Sequence, residues 1–216
     1  MYRLIIALLL LLCALPAAAA PTINCHCFQE RSFDPARPDA ADSYLLATTY
    51  NSFQAQLLGL SKKTLVKTKM SGGKDSDIWI SGYLAKETGL SIEEIVSQRG
   101  ASPSWGALAK AKGVALPAAG VEASNDEALA RSIAIAAAAD AFGAELKGLQ
   151  RLGAGGASVK ELVLAAFLGR LTGQAPKDLI GQVGSGKTSW GELATRADLP
   201  FGAVEERIAA LLAASP

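Results

Sequence analysis

Residues 59–89, GLSKKTLVKTKMSGGKDSDIWISGYLAKETG, align without a gap with residues 143–173, GAELKGLQRLGAGGASVKELVLAAFLGRLTG. The alignment pairs each residue with the one 84 positions later, and it places glycine on glycine at the first and last positions. One inserted residue further on, the segment Ser-Trp-Gly-x-Leu-Ala at 104–109 aligns with 189–194. About twenty positions are identical over roughly eighty, and self-similarity at a fixed period is typical of repeated structural units. We therefore predict that the chain contains two copies of one unit.

Each copy is predicted to be a string of helices, because apolar residues recur at helical spacing between glycine-containing breaks. In the third helix of the first copy, the residues expected to face inward are Ile78, Tyr83 and Leu84. Ser91, followed three residues later by Glu94, is typical of a capping box at a helix start. The helices expected in the first copy, with the last helix of the second copy, cover residues 43–58, 62–70, 76–88, 92–98, 105–113 and 201–212.

The predicted fold class is all-α, a tandem duplication of a roughly 80-residue multi-helix unit preceded by a signal peptide and an extended arm. Half of the 216 residues are apolar, and many of these are alanine, which favours helices because it loses no side-chain entropy in them. No stretch alternates apolar and polar residues as a strand would. The expected segments are a signal peptide at 1–19, an arm at 20–41, a first unit at 42–124 and a second unit with a C-terminal capping helix at 125–214.

The first segment, MYRLIIALLLLLCALPAAAA, has the features of a bacterial export signal. Arg3 supplies a short positive region, Leu4 to Leu15 form an apolar region, and the alanine run offers a cleavage site. The apolar region is short for a membrane span of roughly 20 residues. We predict cleavage after Ala19 and a periplasmic or secreted protein, with membrane contact only through the signal peptide.

The charge balance argues against a nucleic-acid partner. The formal net charge is only +1, whereas nucleic-acid binding needs a basic face to contact phosphates. We expect instead a protein or another component of the cell envelope as the partner, of unknown identity.

The least expected feature of the chain after the signal segment is the tripeptide Cys25-His26-Cys27, which holds its only thiols and its only imidazole. Thiolates and imidazole suit Cu(I) or Zn(II). Two or three adjacent ligands do not close a tetrahedral site, so a carboxylate, a partner or a second subunit would have to complete it.

Two other roles for Cys25 and Cys27 stay open at this point. In an oxidising compartment, cysteines are normally found in disulfides, either with each other across one residue or with another chain. A bond within so tight a ring is expected to be strained and more reducible, which would suit a redox role.

The segment Gly181 to Thr188, GQVGSGKT, fits the phosphate-loop pattern G-x-x-x-x-G-K-[ST] at every required position. A phosphate loop requires a strand before it, whereas the alignment places a short helix before this segment. The aligned segment of the first copy also has no G-K-[ST]. We therefore predict a glycine-rich connection between helices, with Thr188 or Ser189 as the cap of the next helix, and no nucleotide binding.

The remaining residues give no catalytic constellation. Trp105 and Trp190 begin equivalent helices and are predicted to be core anchors, with ligand stacking as the alternative. A serine–histidine–acid triad is excluded, because His26 is the sole imidazole and lies in the arm.

The pattern TG-x(5)-[IL]-[VI] followed by SWG-x-LA, seen at Thr88–Ala109 and Thr172–Ala194, resembles a short motif of uncharacterised exported bacterial proteins. The resemblance implies a bacterial exported protein of helical type and transfers no activity and no site residues. The sequence thus favours a non-enzymatic exported helical repeat protein with a structural or binding role and no cofactor. The alternative is a periplasmic metal- or thiol-handling protein that uses Cys25, His26 and Cys27.

We predict that the protein has no affinity for ATP, because the motif lies in a helical context. Calorimetric titration with ATP and magnesium should give no heat of binding, either for the protein or for the Lys187→Ala variant. Micromolar, magnesium-dependent binding that is lost in Lys187→Ala would contradict this interpretation.

Overall fold

The computed structural model describes Phe28, residues 30–117 and residues 125–214. Within those residues all regular secondary structure is helical, which confirms the predicted all-α class. A 3₁₀ turn at Phe201–Ala203 precedes the last of eleven α-helices found there. The helices are α1 (Asp42–Leu57), α2 (Lys62–Met70), α3 (Asp75–Thr88), α4 (Ile92–Arg99), α5 (Trp105–Ala111), α6 (Asp126–Phe142), α7 (Leu146–Ala154), α8 (Val159–Thr172), α9 (Pro176–Gly184), α10 (Trp190–Arg196) and α11 (Val204–Ala213).

Most predicted helix starts are confirmed by the capping hydrogen bonds. The side chains of Ser61 and Ser104 accept the backbone N–H groups of the N3 residues of α2 and α5. Ser91 and Glu94 form the predicted capping box at the start of α4. The chain therefore sets these starts locally, through side chains that satisfy backbone donors at the helix ends.

The start and the inner face of α3 differ from the prediction. The helix begins at Asp75 rather than at Ser76 or Asp77. The Ser76 hydroxyl is buried and donates to the Glu127 carboxylate of α6 at 2.8 Å, so it serves a contact between helices instead of a cap. Trp79 and Ile80 fill the core, whereas Ile78 and Tyr83 are only half-buried.

The two halves of the chain share one core through an exchange of helices. In the first half, α1–α5, helix α3 packs on α6, and α1 packs on α8. Both α6 and α8 belong to the second half, α6–α10, so each half covers apolar residues of the other. The last helix, α11, packs along α1 and covers it further.

A row of aromatic rings crosses the junction between the halves. It runs from Tyr50 to Trp79, Phe53, Phe142 and Phe167, with successive ring centroids 5.1–6.1 Å apart. These separations are those of favourable tilted aromatic pairs. The Phe53–Phe142 pair joins α1 to α6 and so links the two halves at the centre.

Residue size sets the spacing of the helices in each half. Helices α6 and α8 pack directly on each other, whereas α1 and α3 meet through the large rings of Tyr50, Phe53 and Trp79. The position aligned with Tyr50 is Ala134, which is fully buried. Since the distance between helix axes depends on the side chains at the contact, the same order of helices gives different spacing in the two halves.

The described part of the N-terminal arm follows turns and is held against the start of the core. Residues 34–42 form three successive turns, so this part is not extended as predicted. The Asp42 carboxylate accepts the backbone N–H groups of Trp190 and Gly191 at 3.1 and 2.8 Å, which ties the start of α1 to the start of α10. Burial raises the pKa of Asp42, and these two hydrogen bonds oppose the rise.

The two helix-starting tryptophans are buried alike, as predicted for core anchors, with about 2% of each residue exposed. Trp105→Ala and Trp190→Ala should each lower the free energy of unfolding by about 3–5 kcal/mol, the usual cost of truncating a buried large aromatic. Urea denaturation followed by far-UV circular dichroism measures this. Changes below about 0.5 kcal/mol, typical of surface substitutions, would contradict the core role.

Candidate binding cavity

The cysteine–histidine cluster predicted from the sequence, Cys25, His26 and Cys27, lies outside the described residues. Among the described residues, no group of three or more histidine, cysteine, aspartate or glutamate side chains is placed to hold a metal ion. The described chain nevertheless fixes the residue that follows the cluster, because the Phe28 ring packs edge-on against Tyr44 in the first turn of α1, at 5.8 Å.

The phosphate-loop sequence forms the end of a helix and a turn. Gly181 to Gly184 belong to the last turn of α9. Gly186, with a φ of +70°, turns the chain, and Ser189 then caps α10 by accepting the N–H of Glu192 at 3.0 Å. Four motif residues thus lie in a helix, where they cannot form a loop that surrounds phosphate. This agrees with the predicted helix-to-helix connection, and the absence of nucleotide binding stays a prediction.

The largest cavity that the described residues form has a volume of about 790 Å³. It lies where α6 and α8 end and where α7 and α9 begin. Small-molecule sites usually have about 300–1,000 Å³ and a mainly apolar lining with a few polar groups. This cavity has both properties, so it is the candidate binding site.

Two glycines in the left-handed conformation place the four helix ends together. Gly143 has a φ of +67° and ends α6, and Gly173 has a φ of +75° and ends α8. Because glycine has no Cβ, it adopts this conformation at little cost. The chain therefore reverses sharply at both points, and α7 and α9 return beside the helices that precede them.

A third glycine brings the cavity wall close to α8. A Cβ atom on Gly169 would lie 2.7 Å from the backbone oxygen of Gln174. The aligned residue of the first half is Ala85, which carries a Cβ. The missing Cβ at Gly169 thus lets the segment before α9 pass unusually close to α8.

The inner surface of the cavity is apolar. Phe142, Leu149 and Ala166 lie at its base and are at most 3% exposed. Phe142 turns inward to pack on Phe53 and Phe167 instead of filling the space. An apolar chain could therefore bury its surface here, at roughly 25 cal/mol per Å² removed from water.

The rim of the cavity is cationic. Arg151, Arg170 and Lys177 line it together with a single carboxylate, that of Glu145. Glu145 lies 3.5 Å from Arg151 and partly neutralises it. Arg170 and Lys177 are exposed and have no ion pair with any described residue. An excess of positive charge thus faces the cavity mouth.

The aligned region of the first half forms a smaller and electrically balanced cavity of about 420 Å³. The Leu58 side chain lies where a Cβ on Gly82 would be, so it occupies the gap between α1 and α3. The charged residues there are Lys86 and Glu93, one of each sign. Of the two aligned sites, only the second combines open volume with unpaired cations.

A polar cluster in the first half has the character of a structural brace rather than of an active site. The Trp79 indole donates to the Tyr50 hydroxyl at 2.6 Å, and Tyr50 donates to Asp75. The Lys69 ammonium lies 2.6 Å from Asp75 and donates to Asn51 at 2.9 Å. These bonds connect α1, α2 and α3 on one side of the core.

The titration of this brace supports that assignment. Burial, reinforced by the Asp75 carboxylate, raises the pKa of Tyr50 far above its usual range. The phenol is therefore protonated at neutral pH and is not an activated base or nucleophile. Burial lowers the pKa of Lys69, and the ion pair with Asp75 opposes this shift.

The sequence analysis missed the cavity, although one signal was available. Glu93 aligns with Lys177, a reversal of charge at matching positions of the two copies. Such a reversal was interpreted as a solvated face. The cavity beside Lys177 could not be inferred, because it depends on where Phe142 packs.

None of the helices within residues 30–117 and 125–214 combines the length and the apolarity needed to cross a bilayer. Comparison of the chain with protein-family models, with curated proteins and with solved structures gives no significant match.

A matched pair of glycine substitutions tests the construction of the cavity wall. Gly169→Ala should destabilise the protein by about 1–2 kcal/mol, because overpacking against backbone costs about 1–3 kcal/mol and exceeds the gain in helix propensity. Gly181→Ala, in α9 with open space around it, should stabilise by about 0.5–1 kcal/mol through helix propensity alone. Urea denaturation measures both, and a stabilising Gly169→Ala would contradict the close approach.

Proposed function

We propose that this is an exported, non-enzymatic helical protein that binds a small ligand in the cavity between α6, α7, α8 and α9. The observation that carries the proposal is the cavity itself, which combines a volume of about 790 Å³ with an apolar base and a cationic rim. The proposed export rests on the charged, apolar and alanine-rich regions of residues 1–20.

A duplication of one helical unit accounts for the way the site arose. The helices of the first half have 16, 9, 14, 8 and 7 residues, and those of the second have 17, 9, 14, 9 and 7. The aligned glycines Gly89 and Gly173 both end a third helix in the left-handed conformation. We propose that the copies then diverged, one into a braced half and the other into a binding half.

The non-enzymatic part of the proposal is supported by the chemistry at the cavity. Its polar lining consists of cations, one carboxylate and an amide, with no serine, threonine or tyrosine hydroxyl among the described lining residues. Glu145, the carboxylate, is exposed and faces Arg151. A group of this kind binds and orients, and it offers no paired nucleophile and base.

Filling the cavity should abolish binding of an uncharged apolar probe. Gly148 lines the cavity, and a side chain there would meet only the flexible Glu145 side chain, at 3.3 Å. We expect the fluorescence of Nile red to rise with the protein, and to rise at least roughly tenfold less with Gly148→Leu, because an apolar contact of this size is worth more than the 1.4 kcal/mol that a tenfold change requires.

Gly181→Leu is the matched control for this experiment. It adds the same side chain to the open face of α9, outside the cavity, and it should leave the fluorescence unchanged. Equal probe binding by Gly148→Leu and Gly181→Leu would show that the cavity is not the binding site.

The alternative function uses Cys25, His26 and Cys27 to handle a metal or a thiol. It rests on the concentration of these three residues in the arm after the signal segment. We expect the protein purified after export to begin at Ala20, to contain oxidised cysteines and to hold no metal. N-terminal sequencing, thiol titration and metal analysis measure these properties. One equivalent of tightly held copper or zinc, weakened by His26→Ala, would establish the alternative.

A further inference from the structure

The cavity between α6, α7, α8 and α9 has two chemically different parts, and their arrangement restricts the ligand. The base is formed by apolar side chains, among them Phe142, Leu149 and Leu152. Arg170 and Lys177 stand at the rim, near the end of α8 and the start of α9. A ligand that matches both parts has an apolar portion and an anionic end.

We propose that the cavity takes an anionic amphiphile, an apolar chain that ends in an oxyanion, with the head held between Arg170 and Lys177. This inference rests on the proposed function and adds the chemical class of the ligand. The apolar chain would lie over Phe142 and Leu149, and the oxyanion would face the cations.

The charge balance of the lining favours an anion. Three cations face one carboxylate, and that carboxylate already lies beside Arg151. Arg170 and Lys177 therefore keep their full charge available for a ligand, since neither has an ion pair within the described residues. Hydrogen bonds between a cation and an oxyanion are among the stronger polar contacts.

The first turn of α9 adds to the positive potential. Its N-cap is Ala175, which has no side-chain oxygen to accept the first backbone donors. The aligned N-cap of the first half, Ser91, does accept such a donor. An uncapped helix start carries a partial positive charge, and here it lies at the same rim as Arg170 and Lys177.

An apolar residue at the mouth fits an amphiphile better than a wholly polar anion. Leu146, at the start of α7, is 39% exposed and is one of only three large apolar residues exposed in the described chain. It follows Glu145 of the cavity lining. The apolar surface thus continues from the base of the cavity to its entrance.

The test compares four probes with the same chain and different heads, each used below its critical micelle concentration. They are dodecanoate, dodecyl phosphate, dodecanol and dodecyltrimethylammonium. Binding is measured by displacement of Nile red from the purified full-length protein. Its location is measured by the shifts of the amide signals of Gly143, Gly148, Gly169 and Gly173, which line the cavity.

We expect at least one of the two oxyanions to bind roughly tenfold more tightly than dodecanol, because a charge-assisted contact is worth about 1.5–3 kcal/mol. The comparison between dodecanoate and dodecyl phosphate then identifies the head group. The double variant Arg170→Gln/Lys177→Gln should remove this preference and leave dodecanol binding unchanged. Higher salt should weaken only the oxyanions, since exposed charges are screened.

Lys86→Gln is the matched control, because Lys86 aligns with Arg170 and lines the smaller cavity. It should leave the preference for the oxyanion intact. Equal affinity for the oxyanions and dodecanol, or preference for the cationic probe, would overturn the inference. The proposed function would survive that result if Gly148→Leu still abolished binding. If no probe bound or shifted the cavity glycines, the inference and the proposed function would both be wrong.

Discussion

The structure depends on the exchange of helices between its two halves. Helix α1 is covered by α8 and α11, and α3 is covered by α6, so the apolar residues of the first half are buried mainly by the second. A helix of this length has little stability in isolation and depends on packing of its apolar face. Neither half has a core of its own, and the Phe53–Phe142 contact lies at the point where the two meet.

The exchange leaves each half free to specialise on its outer side. The first half carries Tyr50, Asp75 and Lys69, which brace α1, α2 and α3 through hydrogen bonds and an ion pair. The aligned residues of the second half are Ala134, Val159 and Gly153, which cannot form such a brace. There Arg131 instead donates to the backbone oxygens of Gly153 and Ala157, at 3.0 and 2.6 Å.

The cavity is a consequence of the same specialisation. Phe142 contributes its ring to the central aromatic row, and Leu58, at the aligned position, fills the gap over Gly82 instead. Space therefore opens on the second side only. It lies at the ends of four helices, where the backbone reverses at glycines, while the centre of the core stays closely packed. Such an arrangement allows a ligand to enter without disturbing the contacts that hold the halves together.

What the sequence determined was local. Helical spacing, the caps at Ser61, Ser91 and Ser104, and the glycines after the helices predicted the all-α class and most boundaries, because these signals act within one turn of chain. The inner face of α3 was predicted less well, since Trp79 and Ser76 take their positions from α1 and α6. Only the tertiary structure decided that the halves exchange helices, that Phe142 turns inward and that Lys177 stands at a cavity rim. Each of these depends on contacts between residues far apart in the chain, and one apolar pattern is compatible with several ways of packing helices.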